Sequence, residues 1–481
     1  MKNRSLLTIC TCIFILTVIT GAFYQWGETG IDDAFITYRY AGHIAGGDGF
    51  VWNKGESPVY GSTSFLYTIL LSTFNRFNFD IPQSSVLISI AARGVSGILI
   101  FLICMELSSP STGAIATFLY AINPAVISYS AGLETQLYIT LILAGFYFYF
   151  RNLLCLCALS CGLLVMTRID GLLIPAMIFI YHLIKKREIP LKPLMIFSAI
   201  LSPWVFFSLY TFDSLLPNSF YAKRLHEKAI SGRFNLIHII PEIKDTVGSY
   251  IVLALLSLFA LAGIFYFFKK KSEKFLLISC WGASYYLAYT FAGLPDFPWY
   301  YMPLLFLFFI SASQGIIFLA NSGNKPFGKI AIILAIISVS QICYVGYKTG
   351  RHRFLQGNTI SFNDVRYRMS QEIIKRNINP DATILAYEVG MIGYYTDLKT
   401  IDLLGLVSPE VIPHIRERDY LWSFKKYNPD YVTLIDAGDS PSTRELFNLI
   451  KNDNNYEETL KVKTRWGHNY ILFSKKKEQG S

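Results

Sequence analysis

Charge is the property that this sequence has least of. Only 16% of its 481 residues are charged, whereas 53% are hydrophobic. Soluble domains typically carry about 25% charged residues. The shortage of charge therefore excludes an ordinary soluble domain and indicates a membrane protein.

Signals of several other protein classes are also missing. The eight cysteines all lie in apolar segments, and none lies in a polar loop or in the C-terminal tail. This placement predicts neither a disulfide framework nor a zinc site. The sequence has no Walker loop, no GxGxxG motif, no internal repeat and no low-complexity segment. It therefore gives no sign of a nucleotide-binding domain.

The net charge of +10 does not indicate nucleic-acid binding, because the basic residues form short clusters between apolar runs. This arrangement is the positive-inside pattern of membrane proteins. The clusters are Lys2 with Arg4, Lys185–Arg187, Lys269–Lys271 with Lys274, and Lys325 with Lys329. We therefore expect no nucleic-acid partner.

Twelve apolar segments are candidates for membrane helices, for which about 20 residues are needed. The longer ones are Leu6–Phe23, Ser85–Met105, Leu194–Phe212, Val247–Phe268, Phe275–Phe291, Met302–Ala320 and Ile330–Tyr347; the shorter ones are Thr63–Phe79, Thr112–Ile127, Leu137–Phe150, Leu153–Met166 and Gly171–Ile184. The first has a long core with no small-x-small cleavage site after it. We interpret it as a retained helix that enters from the cytoplasm, not as a signal peptide.

The basic clusters predict which loops face outward. They place the loops 24–62, 168–171, 212–245 and 295–301, Glu134 and the tail from residue 348 outside. Three candidates lie between the first outer loop and Glu134, namely 63–79, 85–105 and 112–127. Three crossings would put Glu134 inside, so one of them does not span or two of them join. We predict about eleven crossings, and the sequence leaves open which segment is the exception.

The tail from residue 348 changes character. Strand-like runs alternate with helix-like runs, which suggests a small α/β domain. The strand-like runs are Thr383–Tyr387, Thr400–Leu404, Tyr431–Ile435 and Tyr470–Phe473, and the helix-like runs are Val365–Arg376 and Arg444–Lys451. The predicted fold is mostly α, with a membrane helix bundle over residues 1–347 and an extracytoplasmic α/β domain over 348–481.

Two adjacent carboxylates, Asp32 and Asp33, follow the first apolar segment. Either could cap a helix that begins at Ala34 and continues to Ala45. In that helix Asp32, Arg39 and His43 share one face, because spacings of seven and eleven residues return to nearly the same angle. An interfacial helix with a carboxylate cap explains one aspartate but not the second.

Other polar groups are predicted on the same side of the membrane. Glu134 begins a helix, where a negative charge suits the helix dipole, and Arg168 with Asp170 suits an ion-paired turn. The outer loop that contains the aromatic pair Phe220–Tyr221 continues with a group of cations, and a further outer turn carries aromatic residues. These are Lys223, Arg224, His226 and Lys228 in the loop, and Trp299, Tyr300 and Tyr301 in the turn. The aromatic residues suit either a membrane belt or a platform for a sugar ring.

Ionisable groups at a membrane edge are costly and indicate function. Here they suit transfer of a sugar from a lipid-linked phosphate. Asp32 or Asp33 would take the proton of the acceptor hydroxyl. Positive charge would stabilise the departing phosphate. The candidates for phosphate binding are Arg39, Lys223, Arg224 and His226, and those for acceptor or sugar binding or for orientation are Glu134, Arg168, Asp170, Tyr221, Trp299 and Tyr300.

At this point the sequence resembles a known family. The run DDAFITYRYAGHIAGGDGFVWNKGESPVYGSTSFLY resembles the start of polytopic GT-C glycosyltransferases, in particular the bacterial branch that includes the mycobacterial terminal arabinofuranosyltransferases. SAGLETQLY, TRIDGLLIP, LLPNSFYAK and EVGMIGYYTDLKTIDLLGLVSPE follow in family order. The departures are Trp52 and Lys54 in a turn that resembles FNPGE, and Tyr60–Gly61 where the family often has Glu-Gly.

The resemblance implies transfer of a sugar from a polyprenyl-phosphate donor to a cell-envelope glycan, with the acidic pair as catalytic residues and a periplasmic C-terminal domain. It leaves open which aspartate is the base. No metal ligands are assigned, since DD is not the DxD metal signature, although a divalent metal stays an alternative. The expected location is the bacterial inner membrane, with the active site on the periplasmic face.

A hexose donor and a lipopolysaccharide O-antigen acceptor are the first expectation. The rivals among enzymes are an arabinofuranosyl or aminoarabinose transferase and a protein O-mannosyltransferase. The rivals outside enzymes are a lipid-linked sugar flippase or transporter and a sugar-binding scaffold. A flippase needs polar groups through the membrane interior, whereas Arg93 is nearly alone there. An enzyme of this kind would work with a flippase and with the glycosyltransferase that makes its donor.

Overall fold

The chain was examined as a computed structural model, which describes residues 3–25, 30–128, 131–227, 240–241, 244, 247–293, 297–322, 325–356, 362–376, 378–436, 441–464 and 467–476. Every apolar segment identified in the sequence is helical in it. Within these described residues, seven helices are long and apolar enough, by length and composition, to cross a membrane: Arg4–Tyr24, Ile81–Leu107, Leu191–Phe212, Tyr250–Lys269, Glu273–Ala292, Met302–Ala320 and Pro326–Arg351.

The N-terminal part is a series of helices, most of them joined by short connections. They are α1 (Asn3–Tyr24), α2 (Asp32–Gly46), α3 (Phe65–Arg76), α4 (Ile81–Leu107), α5 (Pro110–Ile122), α6 (Ala125–Ser128), α7 (Thr135–Phe150), α8 (Leu154–Thr167), α9 (Leu173–Lys186), α10 (Leu191–Phe212), α11 (Asn218–Glu227), α12 (Tyr250–Lys269), α13 (Glu273–Ala292), α14 (Met302–Ala320) and α15 (Lys325–Gln356). Most of these segments are helical because they are apolar, and not because of capping residues. An apolar segment in a membrane must pair its own backbone N–H and C=O groups, and a helix does so.

The two ends of the helix bundle carry different charges. At one end, here called the basic end, Glu106 at the end of α4 pairs with Arg151 after α7 at 3.0 Å and with Lys274 in α13 at 2.6 Å. Lys185 at the end of α9 pairs with Glu273 at the start of α13. Two of the predicted basic clusters, those of Lys185 and Lys274, thus lie at one end of the bundle, opposite the end where Asp33, Glu134 and Asp170 lie.

The helix α3 explains the surplus crossing in the predicted topology. Its 12 residues span only about 18 Å. On one side of α3, Ser62 lies 3.3 Å from Thr37 of α2. On the other side, Ser85 in the second turn of α4 hydrogen-bonds to Tyr38, also of α2. The segment before α3 and the start of α4 both contact α2. The two ends of α3 therefore lie on the same side of the membrane. The count of eleven crossings stays a prediction. The crossing helices would be α1 to α15 without α2, α3, α6 and α11.

Two glycines bring α12 and α14 into backbone contact. A Cβ added at Gly263 would overlap the carbonyl oxygen of Ser311, and one added at Gly315 would overlap that of Phe259. Close approach through small residues is a typical way for membrane helices to associate, since lipid offers little hydrophobic drive for their association.

We expect Gly263→Leu to destabilise the bundle by about 1–3 kcal/mol, because the added side chain must push two helices apart. The measurement is the thermal unfolding temperature in detergent. Gly282→Ala in α13 is the control, since its Cβ would meet the flexible end of Leu307 at 3.0 Å. Equal unfolding temperatures for Gly263→Leu and the wild type would contradict the packing of α12 on α14.

The C-terminal part forms the small α/β domain that the tail pattern predicts. Its strands are β1 (Thr383–Ala386), β2 (Lys399–Asp402), β3 (Tyr431–Ile435), β4 (Tyr456–Lys463) and β5 (Asn469–Lys475), in the order β2-β1-β3-β5-β4. β1 pairs in parallel with β2 and β3, while β5 pairs antiparallel with β3 and β4. Its helices are α16 (Phe362–Lys375), α17 (Gly390–Thr396), α18 (Ile412–Arg416), α19 (Trp422–Tyr427) and α20 (Pro441–Lys451).

Two details differ from the sequence-based expectation. The strand β4 was not predicted, because its sequence YEETLKVK is largely charged and buries few positions. The helix α15 runs on to Gln356, so the predicted boundary at residue 348 falls inside a helix. One face of the sheet packs on α16 and on residues of the loop 24–62, and the other packs on α20.

Candidate active site

The two aspartates of the DD pair point in different directions. The helix α2 begins at Asp32 itself, with Ile31 at the capping position and both aspartates in the first turn. The prediction that one of them caps the helix is therefore wrong. Successive side chains on a helix diverge by about 100°, so adjacent carboxylates in one turn serve different neighbours.

Asp32 binds the C-terminal domain. Its carboxylate accepts hydrogen bonds from the backbone N–H groups of Gly390 at 3.0 Å and Met391 at 2.9 Å, in the first turn of α17. Burial raises the pKa of Asp32, while the positive charge of Arg366 and these two N–H donors act against that rise. The structure thus gives Asp32 a connecting role between the helix bundle and the domain.

Arg39 and His43 lie on the same face of α2 as Asp32, as predicted, and they too contact the C-terminal domain. Arg39 donates to the carbonyl of Leu398 at 2.9 Å and to Thr400 Oγ1 at 3.1 Å. It also donates to the Trp52 carbonyl and stacks on the Trp52 ring. This buried placement does not support the assignment of Arg39 to the donor phosphate.

His43 completes this docking face. Its Nε2 lies 3.4 Å from Asp397, which also pairs with Lys54 at 2.5 Å. The hydrogen bond with His43, together with Lys54, holds the pKa of Asp397 below its usual range. Lys54, one of the departures from the family pattern, therefore serves the contact between the loop and the domain.

Asp33 faces a cavity of about 300 Å³ at the end of the bundle opposite the basic end. Its carboxylate lies 3.0 Å from the Lys223 ammonium. Burial acts to lower the pKa of Lys223, but the charge of Asp33, its hydrogen bond and the nearby Tyr300 together outweigh burial and raise the pKa, so Lys223 stays protonated. Lys223 also lies 5.3 Å from the centre of the Phe297 ring.

A second charged group lies on another wall of the cavity. Arg168 donates to Glu134 at 3.2 Å, to Asp170 at 3.2 Å and to the hydroxyl of Tyr289 at 2.6 Å. The Tyr289 hydroxyl in turn donates to Asp170 at 2.6 Å. The predicted ion pair of Arg168 with Asp170 is therefore present, and all four side chains line the cavity as well.

Two glycines bring these walls together. Gly30, just before α2, has a φ of +114°, and Gly132, just before α7, has a φ of +76°. A Cβ on Gly132 would lie 2.6 Å from the Cα of Gly30. Only glycine tolerates both this backbone geometry and this approach. The contact places the first turn of α2, with Asp33, beside the start of α7, with Glu134.

The other predicted site residues divide into two groups. Trp299 and Tyr300 line the cavity. Arg224 is exposed and lies 5.9 Å from the Phe220 ring, and Tyr221 is 42% exposed; neither lines the cavity. The side chain of His226 and the residue Lys228 lie outside the described residues.

Several lining residues were not predicted. They include Thr37, Ser62, Ser219 and Tyr289, together with Leu406 from the C-terminal domain. The LLPNSFYAK motif contains Ser219, so the motif drew attention to its segment but not to its hydroxyl. Leu406 had no local signal, because its position depends on how the domain docks.

The residues at the cavity do not fit a metal ion well. Asp33 and Glu134 are engaged by Lys223 and Arg168, and no cluster of three potential ligands occurs in the part of the chain that the structure describes. Carboxylates already paired with cations make poor ligands, and no chemical step is therefore assigned to a metal.

Gly390 controls the contact between α17 and Asp32. A Cβ at Gly390 would overlap the main-chain oxygen of Asp32. We expect Gly390→Val to accelerate hydrogen exchange in α17 and β2 by about tenfold or more, since overpacking by about 1–3 kcal/mol weakens the docked state.

The control for this experiment is Gly46→Ala at the end of α2, where a Cβ would meet only Asp48 at 3.5 Å. Exchange in α17 that is unchanged in Gly390→Val would mean that Asp32 does not hold the domain.

Comparison with known proteins gives matches of two kinds. Residues 358–477 match a sequence family described as a domain of unknown function, DUF8728. Comparison with curated protein sequences gives no match. The sequence family covers the C-terminal domain and so does not bear on the helix bundle.

Solved structures resemble almost the whole chain. The oligosaccharyltransferase of Archaeoglobus fulgidus in its apo form has a TM-score of 0.59 at 10% identity, over 90% of this chain and 70% of that one. The archaeal oligosaccharyltransferase AglB in complex with an inhibitory peptide and a dolichol-phosphate has a TM-score of 0.56 at 10% identity, over 88% and 69%.

A bacterial enzyme is similar over its full length. ArnT from Cupriavidus metallidurans, bound to undecaprenyl phosphate, has a TM-score of 0.55 at 11% identity, over 98% of both chains. Identities this low establish a shared fold and no more. The fold expected from the sequence is confirmed at that level: this chain shares the mostly helical fold of these oligosaccharyltransferases and of ArnT, and it ends in a small C-terminal α/β domain.

Proposed function

We propose that this protein is a membrane glycosyltransferase that moves a sugar from a polyprenyl-phosphate donor to a cell-envelope glycan. The observation that carries the proposal is the Asp33–Lys223 pair in a cavity at one end of the bundle. The pair supplies a base and a cation at one place. The side chains of Asp33 and Lys223 are 32% and 16% exposed, so a substrate can reach them.

In the proposed reaction Asp33 takes the proton of the acceptor hydroxyl. The acceptor oxygen forms a bond to the anomeric carbon as the bond from that carbon to the phosphate oxygen breaks. The proton ends on Asp33, and the bonding pair leaves with the polyprenyl phosphate, which gains one negative charge. A positioned base typically contributes about 10²–10⁴-fold to the rate.

Lys223 has two effects on this step. Its ammonium lies 3.0 Å from the Asp33 carboxylate and holds it in place before the substrate binds, and its positive charge attracts the phosphate as negative charge develops there. Asp32 is bound to backbone N–H groups, so Asp33 is the better candidate of the two for the base.

The Arg168 group suits binding of the sugar or the acceptor. Glu134 and Asp170 are held in place by Arg168 and present carboxylate oxygens to the cavity. Trp299 and Tyr300 supply ring faces near them. Carboxylates and aromatic rings together suit the hydroxyls and the apolar faces of a sugar.

The substrates are proposed by analogy and by position. A hexose donor and an O-antigen-like acceptor fit a cavity that we place on the periplasmic face of a bacterial inner membrane by the positive-inside rule. ArnT and AglB are bound to polyprenyl-type phosphates in their structures, which supports a lipid phosphate here. ArnT also keeps an aminoarabinose transferase as an alternative, alongside arabinofuranosyl and protein O-mannosyl transfer.

A flippase is the rival from another class. Arg93, in the middle of α4, donates to the carbonyls of Tyr120 at 2.8 Å and Ala121 at 2.7 Å, where α5 ends. This cation therefore supports a helix terminus, as expected for a structural residue. The charged residues of the cavity lie at one end of the bundle, which favours chemistry there over transport.

We expect Asp33→Asn to lower sugar transfer at least 10²-fold without lowering the amount of folded protein in the membrane, because the amide cannot accept the proton. The measurement is mass spectrometry of envelope glycans from cells that lack the protein and carry the variant instead. Glycans from cells without any copy of the protein identify the sugar.

Asp48→Asn, in the loop after α2 and away from the cavity, is the matched control. Wild-type levels of modification in Asp33→Asn would refute the assignment of the base. A separate assay of lipid-linked sugar movement across reconstituted vesicles addresses the flippase: movement that persists in Asp33→Asn without any transfer would favour the transporter.

A further inference from the structure

The first turn of α11 forms part of the cavity wall. Pro217, Ser219, Phe220 and, one turn later, Lys223 line the cavity. The helix is held from outside: the backbone N–H of Asn218 donates to the carbonyl of Tyr60 at 2.8 Å. Also in α11, Ala222 is 1% exposed and packs in the core shared with the C-terminal domain. The start of α11 is thus fixed before any ligand binds.

The hydroxyl of Ser219 is unusual among the polar groups of this wall. Ser219 is only 4% exposed, and its Oγ has no hydrogen-bond partner among the residues that the structure describes. A buried hydroxyl without a partner is unfavourable, and such groups call for an explanation such as a ligand. Ser219 lines the cavity, and rotation about its single side-chain torsion can turn the hydroxyl toward a ligand bound there.

Three features at this place attract an anion. Ser219 and Lys223 are four residues apart, so both lie on one face of the helix. The start of a helix carries a partial positive charge, and α11 has 10 residues. The Ser219 hydroxyl and the Lys223 ammonium can each donate to a phosphate oxygen. The cavity wall at α11 is therefore built like an anion site.

We infer that Ser219, the first turn of α11 and Lys223 form the subsite for the phosphate of the lipid-linked sugar. This inference rests on the proposed function and adds Ser219 to it. The phosphate lies between the hydroxyl and the ammonium, and the ammonium also contacts Asp33. As the sugar departs, the phosphate gains one negative charge, and the Ser219 hydrogen bond strengthens with it.

The experiment measures binding of the phosphate separately from transfer. Purified full-length protein in nanodiscs is titrated with undecaprenyl phosphate, with the neutral polyprenol and with inorganic phosphate, and the thermal unfolding temperature reports binding. The variants are Ser219→Ala, Ser219→Thr and Lys223→Gln. Ser313→Ala is the matched control, because Ser313 is also buried, at 0% exposure, with an unpartnered Oγ among the described residues, but it does not line the cavity.

We expect Ser219→Ala to weaken binding of undecaprenyl phosphate about tenfold, as for the loss of one hydrogen bond to a charged group. Ser219→Thr keeps a hydroxyl and restores most of the affinity, Lys223→Gln weakens binding at least as much, and Ser313→Ala has no effect. Polyprenol affinity does not depend on Ser219. These results together support the subsite.

Undecaprenyl phosphate affinity that is equal in Ser219→Ala and the wild type overturns the subsite, and it leaves the proposed function standing if Asp33→Asn still abolishes transfer. Equal affinity for inorganic phosphate and the lipid phosphate overturns the assignment to a lipid headgroup. Binding that depends on Ser219, with no sugar transfer by the wild type, supports the subsite as a lipid-phosphate site and overturns the proposed function.

Discussion

The first turn of α2 determines how the two parts of the molecule meet. One carboxylate of this turn, Asp32, holds the start of α17 in the C-terminal domain, and the next, Asp33, faces the cavity. Because Asp32 and Asp33 are adjacent residues of one helical turn, the directions of their side chains are fixed relative to each other. Any movement of the domain relative to α2 is therefore passed directly to the residue that we assign as the base.

Through this connection, the C-terminal domain contributes to the wall of the cavity. Leu406 lies on its wall, in the loop that follows β2. The loop is held by Asp402, whose carboxylate accepts from the N–H groups of Leu404 at 2.8 Å and Val407 at 3.0 Å. Burial raises the pKa of Asp402 to about 7, against the effect of these donors. A side chain 370 or more residues from Asp33 thus lines the same cavity in a preformed loop.

The sequence was a good guide wherever the controlling physics is local. Long apolar runs form helices because a membrane requires internally paired backbone groups. The positive-inside rule predicts one surplus segment among three, and the short helix α3 is our candidate for it. The shared face of Asp32, Arg39 and His43 was also predictable, since helical periodicity alone places them together.

The sequence was a poor guide wherever a distant part of the chain decides the role of a residue. Arg39 looked like a phosphate ligand, but Leu398 and Thr400 of the docked domain use its donors. The same docking separates Asp32 from Asp33. The hydroxyls of Tyr289 and Ser219 were not predicted as site groups, because a hydroxyl near the end of a helix acquires its role only from the cavity around it. The strand β4 was missed because one of its faces is exposed and charged.

The contacts of the two cations in the cavity, Arg168 and Lys223, indicate that these residues have different roles. Arg168 directs its donors to Glu134, Asp170 and Tyr289, and its guanidinium lies 5.2 Å from the Tyr300 ring centre. A guanidinium saturated in this way fixes the carboxylates around it and gains little from a further anion. Lys223 has three donors, and the described contacts show a single carboxylate against it, that of Asp33. In the reaction that we propose, an incoming phosphate therefore gains more from Lys223. The leaving group would then lie next to Asp33, and the Arg168 wall would contact the sugar or the acceptor.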